Sequence, residues 1–280
     1  MTTDERAPRS ASAVDLDKPS AARIYDWYLG GETNYAIDRE FGKKAVETLP
    51  VIRPLARGNR NWLGRVVRAA LDAGITQFLD LGTGIPSVGN VHDIARGTSG
   101  ARVVYVDNEA VAAAHSRAIL DRSGLGDWTG VVQEDLRLAD SVVDSPETGR
   151  LLDLSRPVCV LMVSVLHFVG DGDRPDQVIA DYRGRLAPGS WLALSHITDD
   201  DAHAEQAAQL EALRAAYANT QNPAWIRRRE QIEGWFAGFE LVEPGLVHMP
   251  DWRPNPELDV LDVDEDVHSF YWAGVGRVPG

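Results

Sequence analysis

The sequence "FLDLGTGIP", residues 78–86, carries an apolar run into a carboxylate, Asp80, and then bends through Gly82 and Gly84 to Pro86. Glycines have no Cβ, so such a turn can take positive φ angles and let a ligand come close to the main chain. A helix expected to begin near Ser87 would aim its free amides and dipole at a negative charge. Dinucleotide sites use the same plan in the pattern G-x-G-x-x-G, but here Ser87 stands at the third glycine's place and an acid precedes the first glycine by two residues. A tight strand-to-helix turn that binds nothing has the same local pattern, so the meaning of Asp80 depends on the segments around it.

Those segments alternate. "TQFLDLG", "ARVVYVDN", "WTGVVQED", "PVCVLMVSVLHFV" and "GSWLALSHI" are short runs rich in β-branched and aromatic residues, too apolar for surface strands. Helical patterns in "VGNVHDIAR", "EAVAAAHSRAILDRSG" and "RPDQVIADYRGRLAPG" lie between them, which predicts an α/β fold with a parallel sheet covered on both faces. Further on, helices in "DDAHAEQAAQLEALRAAYANT" and "RRREQIEGWFAGF" lead to "ELVEPGLVHMP" and "VHSFYWAGVGRV", which can pair antiparallel. Between that pair, Pro250, Pro254, Pro256 and an acidic run predict an exposed loop over "DWRPNPELDVLDVDED".

Upstream, residues 1–18 predict a disordered leader and residues 19–74 a helical cap, with the main domain over residues 75–280. The cap reads as helix, break at Gly30 and Gly31, helix. A third helix from Arg53 to Ala73 follows the spacing of Leu55, Trp62, Val66, Val67 and Ala70, and Gly74 is placed to end it.

The composition sets limits on partners. Hydrophobic residues at 44% and charged residues at 25% describe a globular chain rather than a disordered one. A net charge of −14 disfavours nucleic acid, whose binding leans on Lys and Arg. The compact basic stretch "WIRRREQ", residues 225–231, reads as a solvated helix face. The lone cysteine, Cys159, lies in an apolar run and reads as buried filler, so no disulfide framework or cysteine zinc site is expected. Neither a secretory pattern nor a membrane-length apolar run is present. The expectation is a cytoplasmic protein with a small-molecule partner and no nucleic-acid or membrane partner.

Three successive predicted strands finish with an aspartate: Asp80, Asp107 in "VVYVDN" and Asp135 in "QEDL". Any one could be a turn former or a helix cap. Together they describe a crevice in which Asp107 takes ribose hydroxyls and Asp135 accepts from an exocyclic amine. A nicotinamide dinucleotide would bring a pyrophosphate that Asp80 repels, whereas S-adenosylmethionine brings no phosphate and carries an ammonium and a sulfonium. Its carboxylate still needs donors, from the amides of the Gly82–Ser87 loop or from a basic residue such as Arg60.

These segments resemble a class I methyltransferase: "LDLGTGIP" its first motif, "YVDN" the ribose-binding acid, "QEDL" the adenine-contacting acid, and the last two apolar runs its closing hairpin. More narrowly, "PSAARIYDWYLGGETNYAIDRE" and "ARGNRNWLGRVVR" resemble the front of a bacterial S-adenosyl methyltransferase family formerly catalogued as a domain of unknown function. The resemblance implies a seven-stranded Rossmann-like sheet, mostly parallel with an antiparallel last strand, and S-adenosyl-L-methionine as cofactor. It implies Asp80, Gly82, Thr83 and Gly84 at the methionine end, Asp107 at the ribose, and Asp135, Leu136 and Asn108 near the adenine. Ser164 after the fourth strand, with Arg60, Tyr25 and Asn34 from the front segment, completes the expected cofactor-binding set. Pro86 departs from the third glycine common in the wider class.

Transfer from a sulfonium needs alignment and exclusion of water, and a hydroxyl or ammonium acceptor would gain from a base. His167, at the end of the fourth predicted strand, is the candidate; His196 ends the fifth and ranks below it. The aromatic front segment could fold over the crevice as a lid and face the sulfonium with Tyr25. "HITDDDAH", residues 196–203, could suggest a metal site, but acids opening a helix account for it, and no metal is expected. Two other readings compete with methyl transfer: a noncatalytic protein binding S-adenosylmethionine or S-adenosylhomocysteine, and an NAD-dependent oxidoreductase.

Overall fold

Glycine sets the first boundaries in the computed structural model, which describes residues 17–85, 89–259, 261–263 and 267–280. Helix α1 (Ala21–Tyr28) ends before Gly30 at φ +84°, α2 (Ala36–Thr48) follows the break, and α3 (Ile52–Asp72) stops before Gly74 at φ +83°. Next come β1 (Gln77–Leu81), α4 (Val91–Ala95), β2 (Arg102–Asp107), α5 (Ala110–Arg122) and β3 (Thr129–Gln133). Then follow α6 (Ala139–Val143), α7 (Pro146–Leu151), β4 (Cys159–Val163), α8 (Pro175–Arg183) and β5 (Trp191–Ile197). The chain closes with α9 (Ala204–Tyr217), α10 (Arg229–Gly234), β6 (Glu240–Leu241), β7 (Val247–His248) and β8 (Tyr271–Arg277).

The sheet runs β3-β2-β1-β4-β5-β8-β6, with β7 also paired to β8. The first five strands are parallel, and β8 lies antiparallel to β5 with Trp191 opposite Arg277. Seven strands were expected, and eight are found among the described residues. The penultimate segment is two short strands because Pro244, which has no N–H to give, and Gly245, at φ +95°, interrupt it.

Side chains alternate across the strands and so divide two cores. Phe78, Val103, Cys159 and Ala193 pack with Trp62 and Val66 of α3. Leu79, Val104, Val160 and Leu192 pack with Val178 and Ile179 of α8. Helices therefore cover both faces, and α3 is part of the main core. Asp80 has the parity of Phe78, so it faces α3. Cys159 is a buried free thiol in that core.

Among the described residues the first helix after the glycine turn begins at Val91 and is five residues long; Pro86 and Ser87, where a helix start was expected, lie outside the described residues, as do residues 1–16 of the expected leader. The proline-rich stretch after β7 is not simply an exposed loop. Trp252 is fully buried with its ring 6.2 Å from that of Trp62. Arg65 donates to the Met249 carbonyl at 2.9 Å and to Asp259 at 2.6 Å, and Asn61 exchanges two hydrogen bonds with the Leu261 backbone at 2.7 and 3.0 Å. Polar side chains on α3 thus satisfy an irregular backbone that could not otherwise lie against a core. Residues 260 and 264–266 of that stretch lie outside the described residues.

Candidate active site

The strand order reverses between β1 and β4, the position where open α/β sheets place their ligands. A cavity of about 410 Å³ opens there, walled by the strand ends, α1, α3 and α9. Asp80, Gly82, Thr83, Gly84, Asp107 and Asn108 line it from one side. Asp135, Leu136, Ser164, His167, Arg60 and Tyr25 line it as well. Of the residues singled out from sequence, Asn34 is not among the lining.

The glycine turn needs its glycines. A Cβ on Gly82, at φ +69°, would lie 2.1 Å from a methyl of Val165. The Gly82 amide instead donates to the Val106 carbonyl at 2.8 Å, drawing the turn to the end of β2. Asp107 reinforces this link, accepting from the Gly84 amide at 2.8 Å and the Glu109 amide at 2.9 Å. Each oxygen keeps a lone pair for a ligand. Burial pushes the Asp107 carboxyl up to about 6.

Asp80 is buried and accepts from the Thr83 hydroxyl at 3.2 Å. Burial pushes it up to about 6, with the Arg60 charge opposing the shift. Asp135 is differently placed: Arg137 grips both its oxygens and also reaches Asp173 at 2.9 Å, so the third acid is ion-paired across the rim of the cavity.

Arg60 comes from α3, its guanidinium 5.4 Å from the Tyr25 ring centroid. It is buried, and its Nε has no hydrogen-bond partner among the described residues. A guanidinium and a buried carboxylate lining one cavity suit a zwitterion, the acid meeting an ammonium and the guanidinium a carboxylate. The methionine end of S-adenosylmethionine fits this pair.

The front helix is tied to the sheet. Arg23 of α1 is fully buried between Asp38, at 2.7 Å, and Glu109, which also accepts from Ser20. Tyr25 continues inward: Asn59 donates to its hydroxyl at 3.1 Å, Ser195 donates to Asn59 at 2.7 Å, and the Ser164 amide donates to Ser195 Oγ at 3.0 Å. Ser164 sits at φ +52°, a conformation that strains a residue with a Cβ, and its hydroxyl lies 3.2 Å from that of Tyr271. Asn34 stands outside this network of cavity contacts. It donates to Asp26 and to the Gly31 carbonyl, both at 2.8 Å, and so fastens the α1–α2 break.

His167 lies beyond the end of β4, in a short 3-10 turn over residues 166–168. Burial, with the Arg227 charge adding to it, pulls its imidazole down to about 3, and Nδ1 has no partner among the described residues. His196 is buried in β5 away from the cavity lining. Arg227 contacts its Nε2 at 3.1 Å and can only donate, so Nε2 accepts and Nδ1 carries the proton, facing the Ile197 carbonyl at 2.7 Å. Burial keeps this ring neutral.

Arg227 corrects the expectation of a solvated basic face. It is 3% exposed and donates to the carbonyls of Leu166 at 3.0 Å and Val169 at 2.6 Å and to Asp171 at 2.8 Å. The next two arginines do lie near the surface. In "HITDDDAH", His203 caps α9 and Asp200 accepts from the Arg229 amide and the Trp272 indole. Sequence reasoning also missed Tyr217, Trp225 and Tyr271, which reach the cavity from α9, the segment after it and β8. Their spacing gives no local signal, since Tyr217 and Tyr271 lie in ordinary apolar patterns and Trp225 opens a basic stretch.

A parallel sheet closed by an antiparallel strand, with strand-end acids and a glycine turn at its switch point, defines a Rossmann-like methyltransferase. A family model for S-adenosyl methyltransferase matches residues 7–279, and the chain belongs to that family. S-adenosylmethionine is its methyl donor. The chain is 34% identical to a DUF574 family protein from Streptomyces avermitilis MA-4680, with a TM-score of 0.86 over 95% of this chain and 100% of that one. It is 36% identical to a protein assigned as a methyltransferase from Thermobifida fusca YX, with a TM-score of 0.83 over 95% of this chain and 97% of that one. The carbon methyltransferase of CurJ shares the fold alone, at 13% identity and a TM-score of 0.53 over 93% of this chain and 67% of that one. No curated protein matches the chain.

Proposed function

We propose that this cavity is the methyl-transfer site, that its β1–β3 end holds the donor and that the acceptor is a small molecule entering beside β4, β5 and β8. When bound, S-adenosylmethionine supplies an electrophilic methyl group on a sulfonium. Asp80 attracts the ammonium, and Arg60 with the amides of the glycine turn takes the carboxylate. Asp107 accepts from the ribose hydroxyls, while Asn108, Leu136 and Asp135 border the base. Asp135 does so from within its ion pair with Arg137, so it serves as a held acceptor. Tyr25 faces the donor from α1, supported by Asn59 and Ser164.

In this reading residues 19–74 cap the site and His167 accepts a hydrogen bond from the acceptor. An imidazole with so low a proton affinity orients a polar group better than it removes a proton. Among the described residues no helix is long and apolar enough to cross a membrane. The proposal includes a cytoplasmic setting, in keeping with a lone unpaired cysteine.

The observation that carries the reading is that Arg60 and the buried Asp80 line one cavity at the glycine turn, the guanidinium charge acting on the carboxyl. Calorimetric titration with S-adenosylhomocysteine and with NAD tests it. Saturable binding of the first and none of the second is expected, and the reverse overturns it. Turnover of S-adenosylmethionine against a panel of metabolites then separates an enzyme from a noncatalytic binder.

A further inference from the structure

The sheet order separates the two ends of the cavity. Acids cluster at the ends of β1, β2 and β3, where Asp80, Asp107, Glu109, Glu134 and Asp135 lie. The other end is aromatic. His167 and Phe168 follow β4 with ring centroids 4.3 Å apart, and Phe168 lies 5.9 Å from Tyr217 of α9. Tyr271 of β8 stands 6.4 Å from His167. The Trp225 amide donates to the His167 carbonyl at 2.8 Å, fixing that indole's segment to the same wall.

The polar groups at this end are hydroxyls and one neutral ring. Tyr28 and Tyr217 place their oxygens 3.4 Å apart, and Ser164 and Tyr271 place theirs 3.2 Å apart. Burial raises all three tyrosines, so they stay neutral. Arg214 lines the cavity from α9 and is held bidentate by Glu211 at 2.6 and 2.7 Å, while Arg227, whose charge reaches His167, is held by the Leu166 and Val169 carbonyls and by Asp171.

We infer that the methyl acceptor is a neutral, planar phenol, its ring held among Phe168, Tyr217, Trp225 and Tyr271 and its hydroxyl turned toward His167 and Ser164. This rests on the donor site proposed above. Aromatic walls favour a flat ring, through offset and edge contacts beyond its apolar area. A carboxylate acceptor would lack a free cation here, and an ammonium would lack both a carboxylate and a nitrogen lone pair with which to react. A phenol also needs little help from a base: its pKa of about 10 lies well below the ~16 of water-like hydroxyls. In the transfer the phenolic oxygen bonds to the methyl carbon as the carbon–sulfur bond breaks. The sulfonium becomes a neutral thioether, and the phenolic proton leaves to solvent water, His167 serving only to orient the hydroxyl.

The test begins with S-adenosylhomocysteine alone and then titrates the saturated protein with 2-naphthol, cyclohexanol, benzoate and benzylamine. The phenol should bind at least about tenfold more tightly than each of the others, and labelled S-adenosylmethionine should yield its methyl ether. Trp225→Ala should weaken phenol binding about tenfold while S-adenosylhomocysteine binding, which also reports that the variant is folded, stays within about twofold; Trp225→Phe should restore most of the loss. Should the protein bind S-adenosylhomocysteine yet favour cyclohexanol, benzoate or benzylamine, or bind the phenol equally well with Trp225→Ala, the acceptor assignment falls and the donor site stands. Failure to bind S-adenosylhomocysteine overturns both.

Discussion

Asp107 and Gly84 are joined directly: the carboxylate at the end of β2 accepts a 2.8 Å hydrogen bond from an amide of the turn after β1. The acid proposed to hold the ribose therefore also shapes the loop proposed to hold the methionine end. Removing it should do more than delete one ligand contact. Asp107→Ala is expected to weaken S-adenosylhomocysteine binding about 10–100-fold, the range for losing charge-assisted hydrogen bonds. Calorimetry measures this, and an unchanged affinity would contradict the assignment.

Asp80 and Asp107 both titrate near 6 because burial raises them. A raised carboxyl pKa means that the folded state holds the proton more tightly than the unfolded chain. The stability so gained is present at low pH and is lost as pH rises from about 4 to about 6. A bound ammonium favours the opposite, ionised form of Asp80. Affinity for S-adenosylhomocysteine should therefore fall as pH drops below about 6 and level off above about 7. Titrations from about pH 5 to about pH 8 read this directly, and a flat profile counts against the ammonium contact.

Gly82 has no space for a side chain, with Val165 2.1 Å from where a Cβ would stand. Gly82→Ala should destabilise the fold by roughly 1–3 kcal/mol, combining the positive φ with the contact, and should weaken donor binding in step. Chemical denaturation beside calorimetry separates the two effects. A variant as stable as the parent would show that the turn has room to shift.

Arg227 links the segment after α9 to the turn that carries His167. Arg227→Met leaves the Leu166 and Val169 carbonyls and His196 Nε2 without this donor, and should cost on the order of 3 kcal/mol. Its Asp171 partner is exposed and adds little. The melting temperature should fall while affinity for S-adenosylhomocysteine in the folded protein changes little, since Arg227 lies outside the donor end. Loss of donor binding without loss of stability would contradict this role.

Much of the site was readable as local pattern. Strands buried on both faces need apolar runs, and "FLDLG", "VVYVDN" and "VVQED" end in acids where each run meets its turn. Those features lie within a few residues of one another, so their chemistry survives without knowledge of packing. The same holds for the Gly30 break and the Gly74 stop, which depend on backbone freedom.

What the folded chain added was neighbourhood. Asn34 looked like a ligand-facing polar group, but the α1–α2 break consumes its hydrogen bonds. The basic run around Arg227 looked solvated, yet its first arginine is buried by carbonyls from a different segment. Trp252 sits in a proline-rich stretch that reads as loop, and only α3 gives it a core to enter.

The sequence by itself determined the alternating α/β layers, the glycine turn and the strand-end acids, because those follow from periodicity, missing side chains and charge in short stretches. Tertiary structure alone decided that Arg60 lines the same cavity as Asp80, that Arg227 fixes the His196 tautomer, and that Tyr28, Phe168, Tyr217 and Tyr271 line that cavity together. Side chains far apart in the chain become neighbours only when helices and strands pack, and no local pattern records which of them will meet.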